Sequence, residues 1–354
     1  MHMADALISP QVGGTMWVAS IALAAYSAHQ IKPEVAERKV PLMGVLGAFV
    51  FAAQMINVTI PATGSSGHLG GGMILSILLG PHAAFLVMFS ILAVQALFFA
   101  DGGLLALGCN VFNLGFWPCF VIYPLVFKKM VGKEPTHGRL LTGSIVSGIL
   151  SLQLGAFCVV LQTLMSGISE LPFGTFVLLM QPIHLAIGIV EGIVTAALVS
   201  FVWRTRPELL ELSSDCKLEP TMSLKPVLTV LAIVALITAA LLSWFASTHP
   251  DGLEWAMFRI TGKEELAAPD DGIHATLAGF QEKTAFMPDY DFAETPTPQE
   301  TDTEQSAEEA ESWPAVSVGT SVAGVVGGGI VLILAVLIGM SLQLIQRRRS
   351  TVTP

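Results

Sequence analysis

Nine apolar runs set what this chain can become. Eight of them, at residues 12–28, 40–57, 82–100, 104–127, 140–165, 176–203, 226–246 and 316–345, approach the roughly 20 residues that a helix needs to cross hydrocarbon. The ninth, Gly70–Leu79, would reach only about 15 Å as a helix, and it stops at Gly80-Pro81. Lipid offers no partner for backbone N–H and C=O groups, so runs of this length must satisfy them internally, as helices. The expected fold class is an all-α polytopic membrane protein. A charged content of 12% points the same way, being about half of what soluble domains carry.

Whether the short run counts as a crossing decides the topology. Basic residues gather on the cytoplasmic side of a membrane protein. Place the amino terminus outside and count the short run. Lys32, Arg38, Lys39, Lys128, Lys129, Lys133, Arg139, Arg204, Arg206, Lys217, Lys225 and Arg347–Arg349 then all fall inside. These are the 14 basic residues outside segment 247–315, and that segment, with 16 of the 27 acidic residues, falls outside. Leaving out the short run puts the 128–139 cluster on the wrong face. Nine crossings are therefore expected in the cell (inner) membrane, with the amino terminus extracytoplasmic and the carboxy terminus cytoplasmic. A helix too short to span is tolerated only where protein or water covers its ends. Residues 58–81 should thus pack inside the bundle, beside a site.

The same reading divides the chain. Residues 1–205 form a seven-span body, 206–225 a cytoplasmic linker, and 226–346 a two-span annex carrying the acidic outer loop 247–315. Residues 347–354 are a cytoplasmic tail. From Pro288 to Glu311 the loop has too few apolar residues to fold alone. The amino end lacks the basic n-region of a cleavable signal. Cys109, Cys119 and Cys158 lie in apolar runs and no CxxC pair occurs, so neither a disulfide nor a thiolate metal site is expected.

Chemistry enters at the first two residues. A histidine in second position can chelate as no internal one can, because the Met1 amine, the His2 amide nitrogen and a His2 imidazole nitrogen close two fused rings around one ion. Three nitrogens in a plane leave a fourth corner, and planar all-nitrogen sites favour Ni(II) or Cu(II). His68 is the candidate for that corner, on the same outer face and within the glycine- and serine-rich stretch Gly64-Ser65-Ser66-Gly67-His68. Spacing alone leaves open a frayed terminus and an ordinary loop histidine.

Longer motifs bear on the choice. Met1-His2-Met3-Ala4-Asp5, Phe51-Ala52-Ala53-Gln54-Met55-Ile56-Asn57 and Gly67-His68-Leu69-Gly70-Gly71 resemble the substrate-binding membrane component of nickel/cobalt energy-coupling-factor transporters. Gly80-Pro81, the run from Gln95 through Ala100-Asp101-Gly102-Gly103 to Leu104, and Leu107-Gly108-Cys109-Asn110-Val111-Phe112-Asn113 follow in order. Pro250-Asp251-Gly252-Leu253-Glu254 resembles the signature of the family's small two-span accessory subunit, so the whole chain looks like two subunits fused. The resemblance implies a seven-helix unit that holds Ni(II), or alternatively Co(II), as transported substrate through Met1, His2 and His68. It also implies a separate transmembrane coupling protein and cytoplasmic ATPases. Ala6 and Leu7 depart from it, standing where relatives carry a glycine and an aromatic. A metal-bound histidine needs its other ring nitrogen tied down, and Gln54, Asn57, Ser66, Asn110 and Asn113 are the candidates to support the site or its loop.

Other polar groups compete for attention. Gln181, His184, Gly188 and Glu191 share one helix face; intramembrane ionisable groups are often functional, but a hydrogen-bonded ladder that fixes packing is the stronger reading. Ser20, Ala24 and Ala28 form a stripe of small residues suited to close helix contact, either with a coupling protein or within the chain. The acidic loop could concentrate cations, although solvation explains it too. His249 and His274 are the remaining outer histidines, with Asp251 and Glu254 between them. No GxxxxGK[ST] phosphate loop occurs, so ATP hydrolysis would belong to partners; neither an enzyme nor a nucleic-acid binder is expected. The rival class is an intramembrane serine protease with Ser66 as nucleophile and His184 as base. A membrane metal sensor signalling through 204–225 is a third.

Overall fold

The computed structural model of the chain describes residues 2–31, 33–210, 224–292, 314 and 316–352. Met1, most of the linker (211–223), the loop stretch 293–313 and the last two residues of the tail lie outside the described residues.

Helix α1 (Pro10–Gln30) begins where Ser9 accepts a bond from the Val12 amide and Pro10 supplies a φ already suited to a first turn. Helix α2 (Pro33–Gln54) ends three residues earlier than the apolar run 40–57 suggests. Asn57 is therefore in a loop, not in a span. The cause is the next few residues: Val58–Ile60, β-branched throughout, form strand β1, which pairs antiparallel with β2 (Ser65–Gly67) in the register Val58↔Gly67, Thr59↔Ser66 and Ile60↔Ser65. Gly64, at φ 72°, closes the hairpin. What the sequence presents as a glycine-rich loop is thus a two-stranded ledge.

Helix α3 (Gly72–Leu79) is the short element. It starts after Gly71 at φ 73°, stops before Gly80 at φ 76°, and every one of its residues is buried. At about 12 Å it cannot span a membrane by itself, and protein covers it on all sides, as a helix of this length requires. Helices α4 (Pro81–Phe98), α5 (Leu107–Val131), α6 (His137–Ser166) and α7 (Phe173–Thr205) complete the body. Through Phe112–Phe127 α5 widens into π-type turns that carry Pro118 and Pro124.

Glycines set the closest approach, between α6 and α7. A Cβ on Gly192 would fall 2.4 Å from the Ile145 Cα, and one on Gly148 would fall 2.9 Å from the Gly188 carbonyl oxygen. Helix α7 then shows two faces. Leu178, Leu185, Ile189 and Ile193 are exposed at spacings of four and seven, while His184, Gly188 and Glu191 point inward. The small-residue stripe of α1 packs within the chain: the Ser20 hydroxyl donates to the Gly108 carbonyl at 2.7 Å.

The annex comprises α8 (Lys225–Ala240), α9 (Gly252–Thr261), α10 (Gly272–Thr284) and α11 (Val318–Val352). Helices α8 and α11 pack along α2, where a Cβ on Gly339 would meet Val40 at 2.4 Å. Helices α4, α5, α6 and α7, with α11 over Val318–Leu344, are long and apolar enough to cross a membrane, and α2 and α8 carry shorter apolar segments, Lys39–Gln54 and Lys225–Ala240. The protein is an all-α polytopic membrane protein with the hairpin as its sheet.

Between α8 and α11 the annex folds over the body rather than away from it. The Ser66 amide donates to the Pro250 carbonyl at 2.8 Å, and Ser66 bridges to Asp251 as a short parallel addition to the hairpin. Pro288–Tyr290 form a turn whose backbone donates to Phe98 and Phe99 carbonyls from Met287 and Asp289. The start of the segment expected to lack structure, Pro288–Phe292, is therefore docked, because the body supplies the apolar partners it lacks locally.

Candidate metal site

The amino-terminal segment runs inward. Met3 is fully buried, and Asn110 clamps it from both ends, accepting from its amide at 2.8 Å and donating to its carbonyl at 3.2 Å. Asp5 accepts from the Ala106 amide, and the Gly103 amide donates to the Met3 carbonyl. The chain around Gly103 permits this approach only because it has no side chain: a Cβ there would collide with Asp5. Ala6 and Leu7 are buried in a single tight turn, Asp5–Leu7, so the departure from the family pattern does not open the segment.

This segment delivers His2 to His68. The two rings lie nearly parallel, 11° apart, with centroids 4.7 Å from each other. His68 donates from Nδ1 to the Leu69 carbonyl at 3.0 Å, which leaves the lone pair on Nε2. Burial pushes the His68 imidazole down to about 3, with the nearby His2 adding to the effect. It is neutral across the working range, as a metal ligand must be. His2 donates from Nδ1 to Asp101 at 2.9 Å; its side chain is 5% exposed, and its Nε2 is buried with no hydrogen-bond partner. A buried nitrogen left bare is costly, and such atoms call for an explanation.

Below the pair the body supplies amides and one carboxylate. Gln54 donates to the Gly70 carbonyl and Glu191 accepts from the Gly70 amide, both at 2.8 Å, so the turn after His68 is gripped from two helices. Asn113 pairs reciprocally with Gln162 beneath Met3. The α7 stripe is thus divided in role: His184 bonds the Met180 carbonyl and Gln181 exchanges bonds with Gln153, whereas Glu191 supports the site's loop. Asn57 does not reach His68; its backbone carbonyl accepts from Ser247 and its side-chain oxygen is buried without a partner. The Ser66 hydroxyl donates to His249 and Pro250 carbonyls. With Ser66 committed to the annex and His184 to its own helix, no nucleophile–base pair forms, and the protease reading fails on geometry.

Beside His2 opens a cavity of about 310 Å³ whose carboxylates are Asp5 and Asp101 from the body and Asp251, Glu254, Glu265 and Asp289 from the annex. Asp251 and Glu254 form a capping box that starts α9. Burial, and the Asp251 charge beside it, raise Glu254 to about 7. His274 also lines the cavity; it is buried and donates from Nε2 to the Ile8 carbonyl. Asp101 is the residue that sequence reasoning passed over, although it stands inside a quoted motif. Burial pushes its carboxyl up, but His2 and Tyr290 more than offset that and hold it below the usual carboxylate range. Among the described residues no three histidine, cysteine or carboxylate side chains stand close enough to enclose an ion.

Comparison with known proteins identifies relatives of both parts of the chain. The profile of the family described as the cobalt uptake substrate-specific transmembrane region matches residues 2–209, and that of the PDGLE domain matches residues 225–344. A chain of Archaeoglobus fulgidus, named provisionally as a fused nickel transport protein NikMN, is 34% identical over 211 residues, covering 60% of this chain and 68% of that one. The cobalt transport protein CbiM of Sorangium cellulosum is 28% identical over 184 residues, covering 52% and 81%. A solved structure titled as a truncated transition metal transporter superposes with a TM-score of 0.51 at 28% identity, covering 58% of this chain and 99% of its own. The protein is a component of a metal-uptake transporter and not an enzyme. It belongs to the family of substrate-specific membrane components for nickel and cobalt uptake, with the PDGLE accessory unit fused behind it in one polypeptide.

Proposed function

We propose that the protein captures Ni(II) at the extracytoplasmic face of the cell membrane for an ATP-driven energy-coupling-factor importer. The ligands are the Met1 amine, the His2 amide and imidazole nitrogens, and His68. The observation that carries the reading is the stacking of two histidines, distant in sequence, of which His2 lines a carboxylate-rich cavity. Gln54, Asn110, Asn113 and Glu191 hold the segments that bear them, and Ser66 ties their ledge to the annex. Two imidazoles alone hold an ion weakly; backbone nitrogens of the terminus complete a planar set of four. A fused chelate through the His2 amide must use Nδ1, since Nε2 lies across the ring. Capture therefore replaces the Asp101 hydrogen bond at Nδ1 by the ion, moves that ring proton to Nε2, and releases protons from the Met1 ammonium and the His2 amide.

Planar nitrogen donors favour Ni(II) over Co(II), and three fused relatives carry nickel in their names, although Co(II) would bind by the same groups. Copper(II) outranks both for nitrogen ligands, so preference for nickel rests on the enforced cavity and on metal supply. The chain carries no phosphate loop; a membrane coupling protein and cytoplasmic ATPases supply the energy, with the amino terminus outside and the carboxy terminus inside.

The test is to place one residue before Met1 and titrate purified protein with Ni(II). Moving the amine should weaken binding about hundredfold, equivalent to about 2.7 kcal/mol, with both histidines intact. Native-like affinity in the extended protein overturns the chelate.

A further inference from the structure

Helix α10 (Gly272–Thr284) is tied down near both ends, and each tie falls where an apolar helix of the body starts or stops. Near its start, His274 donates from Nε2 to the Ile8 carbonyl at 2.9 Å, just before α1 opens at Pro10. Near its end, Gln281 donates to the Ala96 and Gly102 carbonyls, both at 2.8 Å, on either side of Phe98, the last residue of the membrane-length helix α4. The Gly103–Met3 and Asp5–Ala106 bonds hold those two helix ends side by side. A helix fastened to both runs across the end of the bundle, at the depth where apolar spans give way to water.

We propose that α10 is an interfacial helix, lying in the plane of the membrane with its outer face seated in the lipid leaflet on the metal-site side. Ile273, Leu277 and Phe280 recur at spacings of four and three and share one side. His274, Ala278 and Gln281 share another, and that one walls the carboxylate cavity. The first side has no cover from the protein: Ile273 is 46% exposed and Phe280 51%. Phe286, which follows the helix, marks the depth. Its ring packs against Phe98 and Phe99, 5.7 Å from each, and it is 47% exposed. Aromatic rings at the end of a membrane-spanning helix lie at headgroup level.

The occupant of this face follows from that depth. Residues 293–313 carry no large apolar side chain except Trp313, and so bring little apolar surface to the patch. Lipid is already present at the level of Phe98, and an amphipathic helix that lies there buries its apolar side about 5–10 Å into the headgroup and acyl boundary. The inference goes beyond metal capture and does not depend on which ion is bound. It makes one wall of the cavity a surface that the membrane supports.

The experiment places the full chain, one copy per disc, in phosphatidylcholine nanodiscs brominated either just below the headgroups or at the bilayer centre. Ile273→Trp and Phe280→Trp each add a tryptophan to the outer face, and Lys263→Trp adds one to the exposed turn after α9. With the parent's emission subtracted, the tryptophans at 273 and 280 should both lose about half their emission to shallow bromine and much less to deep bromine, as their depth requires. The one at 263 should lose none. Phe280→Ser, which leaves both ties intact, should speed hydrogen exchange of the α10 amides about tenfold. Water-like emission without quenching at 273 and 280 overturns the proposal. So does blue-shifted emission without quenching, which would mean that protein covers the face, or quenching at only one position, which would mean that the helix stands out of the plane. Exchange unchanged in Phe280→Ser overturns it as well.

Discussion

The floor and the roof of the candidate metal site are built on opposite terms. The floor comes from the body and consists of buried groups that spend their hydrogen bonds on backbone: Gln54 and Glu191 on Gly70, Asn110 on Met3. Its Glu191 faces the Gly70 amide, not the cavity, although Asp5 and Asp101 of the body also reach the cavity wall. The roof comes from the annex, and its carboxylates line open space. Floor groups therefore fix geometry, whose loss is local and severe. On the proposed function, roof groups set the field that a dication meets on entry, which is long-ranged and screened by salt.

Three substitutions sharpen that contrast. Glu191→Ala removes the grip on the turn after His68 and strands the Gly70 amide. Unfolding should become easier by about 2 kcal/mol, and nickel affinity should fall about 10- to 100-fold, as read by thermal melts and metal titration. An equally large loss from any single roof carboxylate would erase the distinction. Glu254→Gln keeps the shape of the roof and, at a pH well above the raised value of about 7, removes a charge; nickel association there should slow about two- to fivefold at low salt and recover near 0.5 M salt, where the screening length is about 4 Å. A slowing that persists in high salt would make Glu254 a ligand and not a source of field. Ser66→Ala loses two bonds to annex carbonyls but leaves the ledge paired through its backbone. Metal affinity should change by less than about threefold, with melting a degree or two lower.

Much of this was open to reading from the chain alone, for identifiable reasons. Apolar helices follow from apolar length, which is a one-dimensional signal, and α3 declares itself by being too short to span between Gly71 and Gly80. His2 stands out because second position is chemically unique. The amides were legible as a group through the motifs containing them, and Gln54 does grip the loop of His68. Asn57 was misplaced because an apolar run does not mark where a helix gives way to a hairpin. Asp101 and Tyr290 escaped notice for a deeper reason. Their contact joins positions far apart in sequence, and no period or spacing encodes where a docked loop will fall. His274 reads as an outer histidine and proves to be a buried strut on Ile8 for the same reason.

Carrying roof and floor on one polypeptide also changes how the assembly behaves in number. A separate accessory protein would have to be made in matching amounts and would dissociate at low abundance. Tethered partners instead meet at an effective concentration in the millimolar range, however few copies the membrane holds. Every molecule synthesised thus arrives with its own cover, and occupancy of that contact does not depend on expression level.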